Sequence, residues 1–94
     1  MEFGRYPNRL KRYRRIAGYS QKKVARLLGF LDTSSLSCWE HGITVPHIVN
    51  IFRLASLYHA KPEELYSELW DQIAADQNLL ARDEPIDSQE GFYL

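Results

Sequence analysis

Apolar residues return at helical spacing through most of this chain, and polar turn residues cut the pattern into pieces. Leu10 and Tyr13, with Ile16 at the margin, share one face of a helix predicted over 8–17 and closed by Gly18. Val24, Ala25 and Leu28 repeat in the same way behind Ser20, whose hydroxyl suits the free N–H groups of an opening turn. Gly29 can take the left-handed conformation that ends a helix, so the second one is predicted over 21–28. A third, over 33–40, has Asp32 or Thr33 as its cap, Leu36 and Trp39 facing inward, and Gly42 after its last turn. Its opposite face carries Thr33, Ser34, Ser37 and Cys38.

After a loop over 41–45, Pro46 suits the first position of a fourth helix. Ile48, Ile51, Phe52, Leu54, Ala55, Leu57 and Tyr58 make that helix apolar over most of its circumference, which predicts a central, buried element. His59, Ala60 and Lys61 interrupt the pattern. Pro62 then opens a fifth helix, with Glu63 and Glu64 near the positive end of its dipole. That helix has two apolar stripes, Leu65 with Leu69, and Tyr66 with Trp70 and Ile73. The second stripe either roofs the core or meets a second copy of the chain, for which aromatic anchors are suited. The pattern weakens after Ala75. The expectation is an all-α, compact five-helix domain over 8–76, a loose arm over 1–7 and a flexible acidic tail over 77–94.

Ninety-four residues suit one domain. The single cysteine, Cys38, cannot form an internal disulfide, which favours a reducing compartment. The chain has no run of eighteen apolar residues and its first residues lack a secretion-signal pattern, so a cytoplasmic protein with no membrane partner is expected. Net charge is zero, but the average conceals a division. Residues 1–60 hold ten Lys and Arg against three acids, a surplus of seven positive charges; residues 61–94 hold two against nine, a surplus of seven negative ones. The first part is suited to a polyanion and the second is not.

Ser20, Gln21, Val24, Ala25, Leu28, Gly29, Leu36, Ser37, Trp39, Glu40 and Gly42 together resemble the helix-turn-helix of the lambda repressor and Cro family, the Xre-type bacterial and phage regulators. Ala25 and Gly29, four apart, are the signature of the turn. The likeness extends through Leu10, Tyr13, Arg14, Gly18 and Tyr19 upstream and Pro46, Ile51, Leu54, Ala55 and Leu65 downstream. One feature departs from it. Between Gly29 and Trp39 this chain carries one residue more than the usual pattern, within Phe30, Leu31 and Asp32, which predicts a longer turn.

The resemblance implies binding to double-stranded DNA, with the helix over 33–40 in the major groove. Carried over residue by residue, it places Gln21 on a phosphate or an adjacent base, and Thr33, Ser34 and Cys38 on base edges with Ser35 nearby. Ser37 replaces one of these if the longer turn rotates the helix. Ser20, Lys22, Lys23 and the backbone and side chains of 41–44, His41 and Thr44 among them, are the candidate phosphate contacts. Short hydroxyl side chains address any base, so they do not spell out an operator. The resemblance also pairs Arg14 with Glu40, tying the first helix to the end of the third. It further implies a homodimer on two half-sites, and a phage-type repressor or an antitoxin bound to a toxin partner are the kinds of regulator it suggests. A module that keeps the fold but binds protein through the fifth helix or the tail, where Phe92, Tyr93 and Leu94 lie, is the other reading. Cys38 and His41 lack a second ligand pair for zinc, and no phosphate loop, nucleophile elbow or dinucleotide fingerprint is present. Neither a metal, a cofactor nor an enzyme activity is expected.

Overall fold

Helix boundaries in this chain are set largely by the residues just outside them. The computed structural model describes residues 5–83, with side chains through residue 76, and over that span six helices follow one another with no strand. They are α1 (Leu10–Ile16), α2 (Gln21–Leu28), α3 (Ser34–Glu40), α4 (Ile48–Tyr58), α5 (Pro62–Leu65) and α6 (Ser67–Asp83). α2 occupies its predicted span. Ser20 Oγ accepts the Lys23 N–H at 3.0 Å, and Gly29, at φ 85°, turns the chain so that the Phe30 N–H bonds back to the Ala25 carbonyl at 2.8 Å. α1, α3 and α4 end in the same left-handed turn, at Gly18, Gly42 and His59.

The core forms where α1 to α5 converge. Leu10, Val24, Leu36, Leu54 and Leu65, one from each of those helices, are the largest side chains fully withdrawn from water. Ala25, Trp39, Ala55, Tyr58 and Tyr66 complete the cluster, and Phe30 meets Trp39 edge-on at 5.7 Å. Burying a side chain of this size stabilises the fold by about 1.5–3 kcal/mol relative to leaving it exposed. The longer turn is accommodated by this packing, for Phe30 folds inward while Leu31 is looped out, fully exposed.

Five expectations are corrected. Ile16 points to solvent, leaving Leu10, Arg14 and the half-buried Tyr13 as the inner face of α1. Pro46 does not start α4: it is buried in the preceding loop, His47 after it is extended at ψ 150°, and the helix begins at Ile48. Nor is α4 buried all round, since Ile48, Val49 and Phe52 are exposed. The fifth helix is divided at Tyr66 (φ −125°, ψ 45°), because the Leu65 carbonyl accepts the Arg9 N–H at 2.8 Å, a bond drawn from the start of α1. Finally, the part of the arm that is described is not loose. The Tyr6 N–H donates to the Gly42 carbonyl at 3.1 Å, and Asn8 Nδ2 donates to the Trp39 and Tyr6 carbonyls at 2.8 and 3.0 Å. Helical backbone continues to Asp83, past the expected domain end at 76, while the rest of the predicted tail and residues 1–4 lie outside the described residues.

Candidate nucleic-acid interface

Leu36 and Trp39 hold α3 against the core by one face, so the other face is presented outward. Ser34 and Ser35 are exposed there, Thr33, Ser37 and Cys38 are half-buried beside them, and Lys22 and Lys23 stand exposed at the start of α2. Thr33 makes no cap with its side chain. Asp32 does so instead, its Oδ1 accepting the Ser34 N–H at 2.9 Å, and that bond, with a second from the Ser34 side chain, holds its carboxyl below the usual range. The hydroxyls of Thr33 and Ser35 are therefore not spent on capping the start of the helix. Ser20 Oγ is used as an acceptor by its own cap, which leaves its hydroxyl hydrogen for an outside acceptor such as a phosphate oxygen.

Behind the end of α3 lies a buried charge network. Arg14 donates to Glu40 through Nε, 2.6 Å from Oε2, and through Nη2, 3.2 Å from Oε1, while its Nη1 reaches the Tyr19 carbonyl at 2.8 Å. The two side chains are 9% and 4% exposed. The hydrogen bond to Glu40 raises the Arg14 pKa against the opposing effect of burial, and burial, with the Glu40 charge, raises that of Tyr58. Gln21 belongs to the same network, its Nε2 donating to Glu40 Oε1 at 2.8 Å. One of its amide hydrogens is thus committed inward. The other, together with Oε1, remains for a phosphate or a base.

The loop after α3 offers less than the sequence suggested. The backbone N–H groups of His41, Gly42, Ile43 and Thr44 all bond back to α3, to the Ser37, Trp39, Cys38 and Cys38 carbonyls at 3.0, 3.0, 2.9 and 3.4 Å. Backbone contact with phosphate through 41–44 is therefore withdrawn, and the exposed side chains of His41 and Thr44 are what remains. His41 Nδ1 lies 2.8 Å from the Ser37 carbonyl, which can only accept, so that nitrogen carries a hydrogen.

Of the stripe expected either to roof the core or to meet a second copy, Tyr66 does the former. It is 8% exposed and part of the core, and burial pushes its hydroxyl up to about 12. Trp70 and Ile73 stay outside, 59% and 50% exposed. Between them and Val45, Ile48 and Phe52 runs an apolar groove of about 290 Å³ that the sequence reading missed. Helical spacing shows that α4 has apolar residues on several faces, but nothing in it says which of those faces a neighbour covers. Asn8 was missed as well, although an Asn just ahead of an apolar helical run is a start signal; its Oδ1 accepts the Leu10 N–H at 3.0 Å.

No helix among the described residues is long and apolar enough to cross a membrane. No curated protein and no solved structure matches the sequence. Residues 10–65, more than half of the chain, match the protein family described as helix-turn-helix, a family of DNA-binding regulators. The span runs from the first residue of α1 to the last of α5 and contains the capped α2, the turn and the outward-facing α3, so the chain belongs to the helix-turn-helix family of the Xre and lambda repressor type.

Proposed function

We propose that this protein is a sequence-specific transcriptional regulator, a repressor or antitoxin-like protein, that inserts α3 into the major groove of DNA flanking its own coding region. The observation that carries this reading is the division of α3 into a buried face, Leu36 and Trp39, and an outward, exposed face of hydroxyl side chains, Ser34 and Ser35. Thr33, Ser37 and Cys38 flank that face as base contacts. Gln21, Ser20, Lys22, Lys23, His41 and Thr44 grip the phosphates on either side. Phosphate contacts supply affinity and register, and base contacts supply sequence choice.

The active form is a homodimer, with its two α3 helices one duplex turn apart, about 34–36 Å. Trp70 and Ile73, joined by Val45, Ile48 and Phe52, are the surface for the second copy. These five apolar side chains, each 39–59% exposed, lie along one groove, and exposed apolar residues gathered in one place mark an interaction surface more often than single ones do. The same face favours the alternative of a protein-interaction module, in which a partner such as a toxin takes the place of the second copy.

Mobility shift on DNA flanking the coding region, beside random duplex, tests the reading. Retention of the flanking DNA at salt concentrations that release random DNA is expected, and Thr33→Ala with Ser34→Ala should erase that preference while the fold persists. A folded protein that treats both DNAs alike would sink the operator-binding proposal and leave the interaction module.

A further inference from the structure

The outer face of α1 has more positive charge than the helix can use. Around the helix from the buried Leu10 and Arg14 lie Arg9, Lys11, Arg12 and Arg15, all exposed. Among the described residues none of the four has a carboxylate partner, the ion pair described there being Arg14 with Glu40. Their placement also works against the helix. Arg9, Lys11 and Arg12 crowd the start of α1, where the backbone dipole disfavours cations and where no acid is present to offset them. Four like charges on one short helix repel one another besides. Folding alone therefore gives no reason for this arrangement, whereas an external polyanion would relieve both penalties at once.

The location identifies the polyanion. The four side chains line a surface cleft together with Glu40, the last residue of α3. Glu40 is already taken by Arg14 and Gln21, so it does not neutralise the strip, but it fixes where the strip lies: beside the end of α3 and the start of α2. The chain ahead of α1 is tied to the same place by the Asn8 and Tyr6 bonds to Trp39 and Gly42.

We infer that Arg9, Lys11, Arg12 and Arg15 form a second phosphate-binding strip, separate from the helix-turn-helix contacts, that holds the DNA backbone alongside the groove α3 enters. This rests on the DNA-binding reading and adds to it a longer footprint. At about 1.5 Å per residue the strip is about 9 Å long, roughly the rise of three phosphates along one strand. It has no base-reading geometry. Its contribution is the same on any duplex, and it is steep in salt.

The test is the salt dependence of binding to random duplex and to the flanking DNA, for the full chain and for a variant with Arg9→Gln, Lys11→Gln, Arg12→Gln and Arg15→Gln. With about 0.9 of slope per phosphate contact, the plot of log affinity against log salt should lose roughly 2–3 in slope on both DNAs, with at least a tenfold drop in affinity at low salt. The melting temperature should hold or rise, since like-charge repulsion is removed. Replacing the three arginines by lysine instead keeps the charge and should keep the slope. The milder pair Lys11→Gln with Arg15→Gln should lose about half as much. An unchanged slope in a protein whose parent binds DNA would overturn the strip and leave the DNA-binding reading standing. Failure of the parent to bind either duplex would overturn the DNA-binding reading itself, and the strip with it.

Discussion

α3 has seven residues and α6 has seventeen, yet the shorter helix is the more firmly held. Two buried side chains anchor α3, Glu40 at its end is locked by Arg14 and Gln21, and its last carbonyls are taken by the following loop and by Asn8. α6 is different. It opens against Tyr66, and among its described side chains none is buried, with Leu69 half-buried and Trp70 and Ile73 half-exposed. A helix of seven residues is too short to persist alone in water, so everything that defines α3 must come from its neighbours. α6 can rely on its own length and needs fewer of them. The element that would read DNA is thus placed rigidly, and the element that would meet a partner is left free to pack on one.

Cutting the network behind α3 should break this contrast most severely. Glu40→Ala leaves the Arg14 guanidinium buried without its counter-charge, at a cost of about 3–5 kcal/mol. For a domain of this size that lowers the melting temperature by more than about 10 °C. A melting curve displaced by only a degree or two would mean that the pair adds little to the fold.

Gly42→Ala comes next. A Cβ there would stand 2.7 Å from the Tyr6 carbonyl oxygen at a φ of 75°, whereas at Gly29, φ 85°, it would meet nothing within 4 Å. Gly29→Ala should therefore show only the left-handed penalty of about 1–2 kcal/mol, and Gly42→Ala clearly more. Equal losses by denaturant titration would show that the bond from Tyr6 yields without cost.

Tyr66→Phe is expected to act in the other direction. The Tyr66 hydroxyl is buried with no hydrogen-bond partner, so removing it should be neutral or stabilising by up to about 1 kcal/mol. Its folded pKa, about 12, is raised above the ordinary 10.0. The stability linked to it is therefore complete below pH 10 and is lost as pH climbs towards 12. Tyr58, whose pKa is also raised, shares that window, so Tyr66→Phe should flatten the alkaline loss without abolishing it. An identical alkaline profile would place the Tyr66 hydroxyl in contact with water.

The smallest effect on the fold belongs to α6. Trp70→Ser with Ile73→Ser should change monomer stability by less than about 0.5 kcal/mol, as exposed positions do. In sedimentation equilibrium, however, the variant should remain monomeric where the parent dimerises. A large loss of stability would mean that α6 is part of the core after all.

What could be read in advance follows the same division between local and distant causes. α2 was legible to the residue, because Ser20 and Gly29 are start and stop signals in themselves. The break at Tyr66 was not. The pattern from Pro62 to Ile73 reads as one helix, and it is divided by an N–H from Arg9, more than fifty residues away in sequence. The polar face of α3 was visible from spacing, but the engagement of Gln21 with Glu40, and the turning inward of the N–H groups over 41–44, are tertiary bonds that leave no mark on the local pattern. Apolar content likewise indicated that α4 packs on several sides without saying that Ile48 and Phe52 would remain outside.

The bond from the Arg9 N–H to the Leu65 carbonyl has one further consequence. It joins the two ends of the span that matches the family, 10–65, so the DNA-binding unit is a closed circuit whose entry and exit touch. A chain with adjacent ends tolerates being opened elsewhere. Linking Tyr66 back to Asn8 and cutting the chain in the loop between α3 and α4 should give a circular permutant that keeps the core side chains from Leu10 to Tyr66. α6, none of whose described side chains is buried, is left out of such a permutant, and the part that meets DNA should keep its form without it.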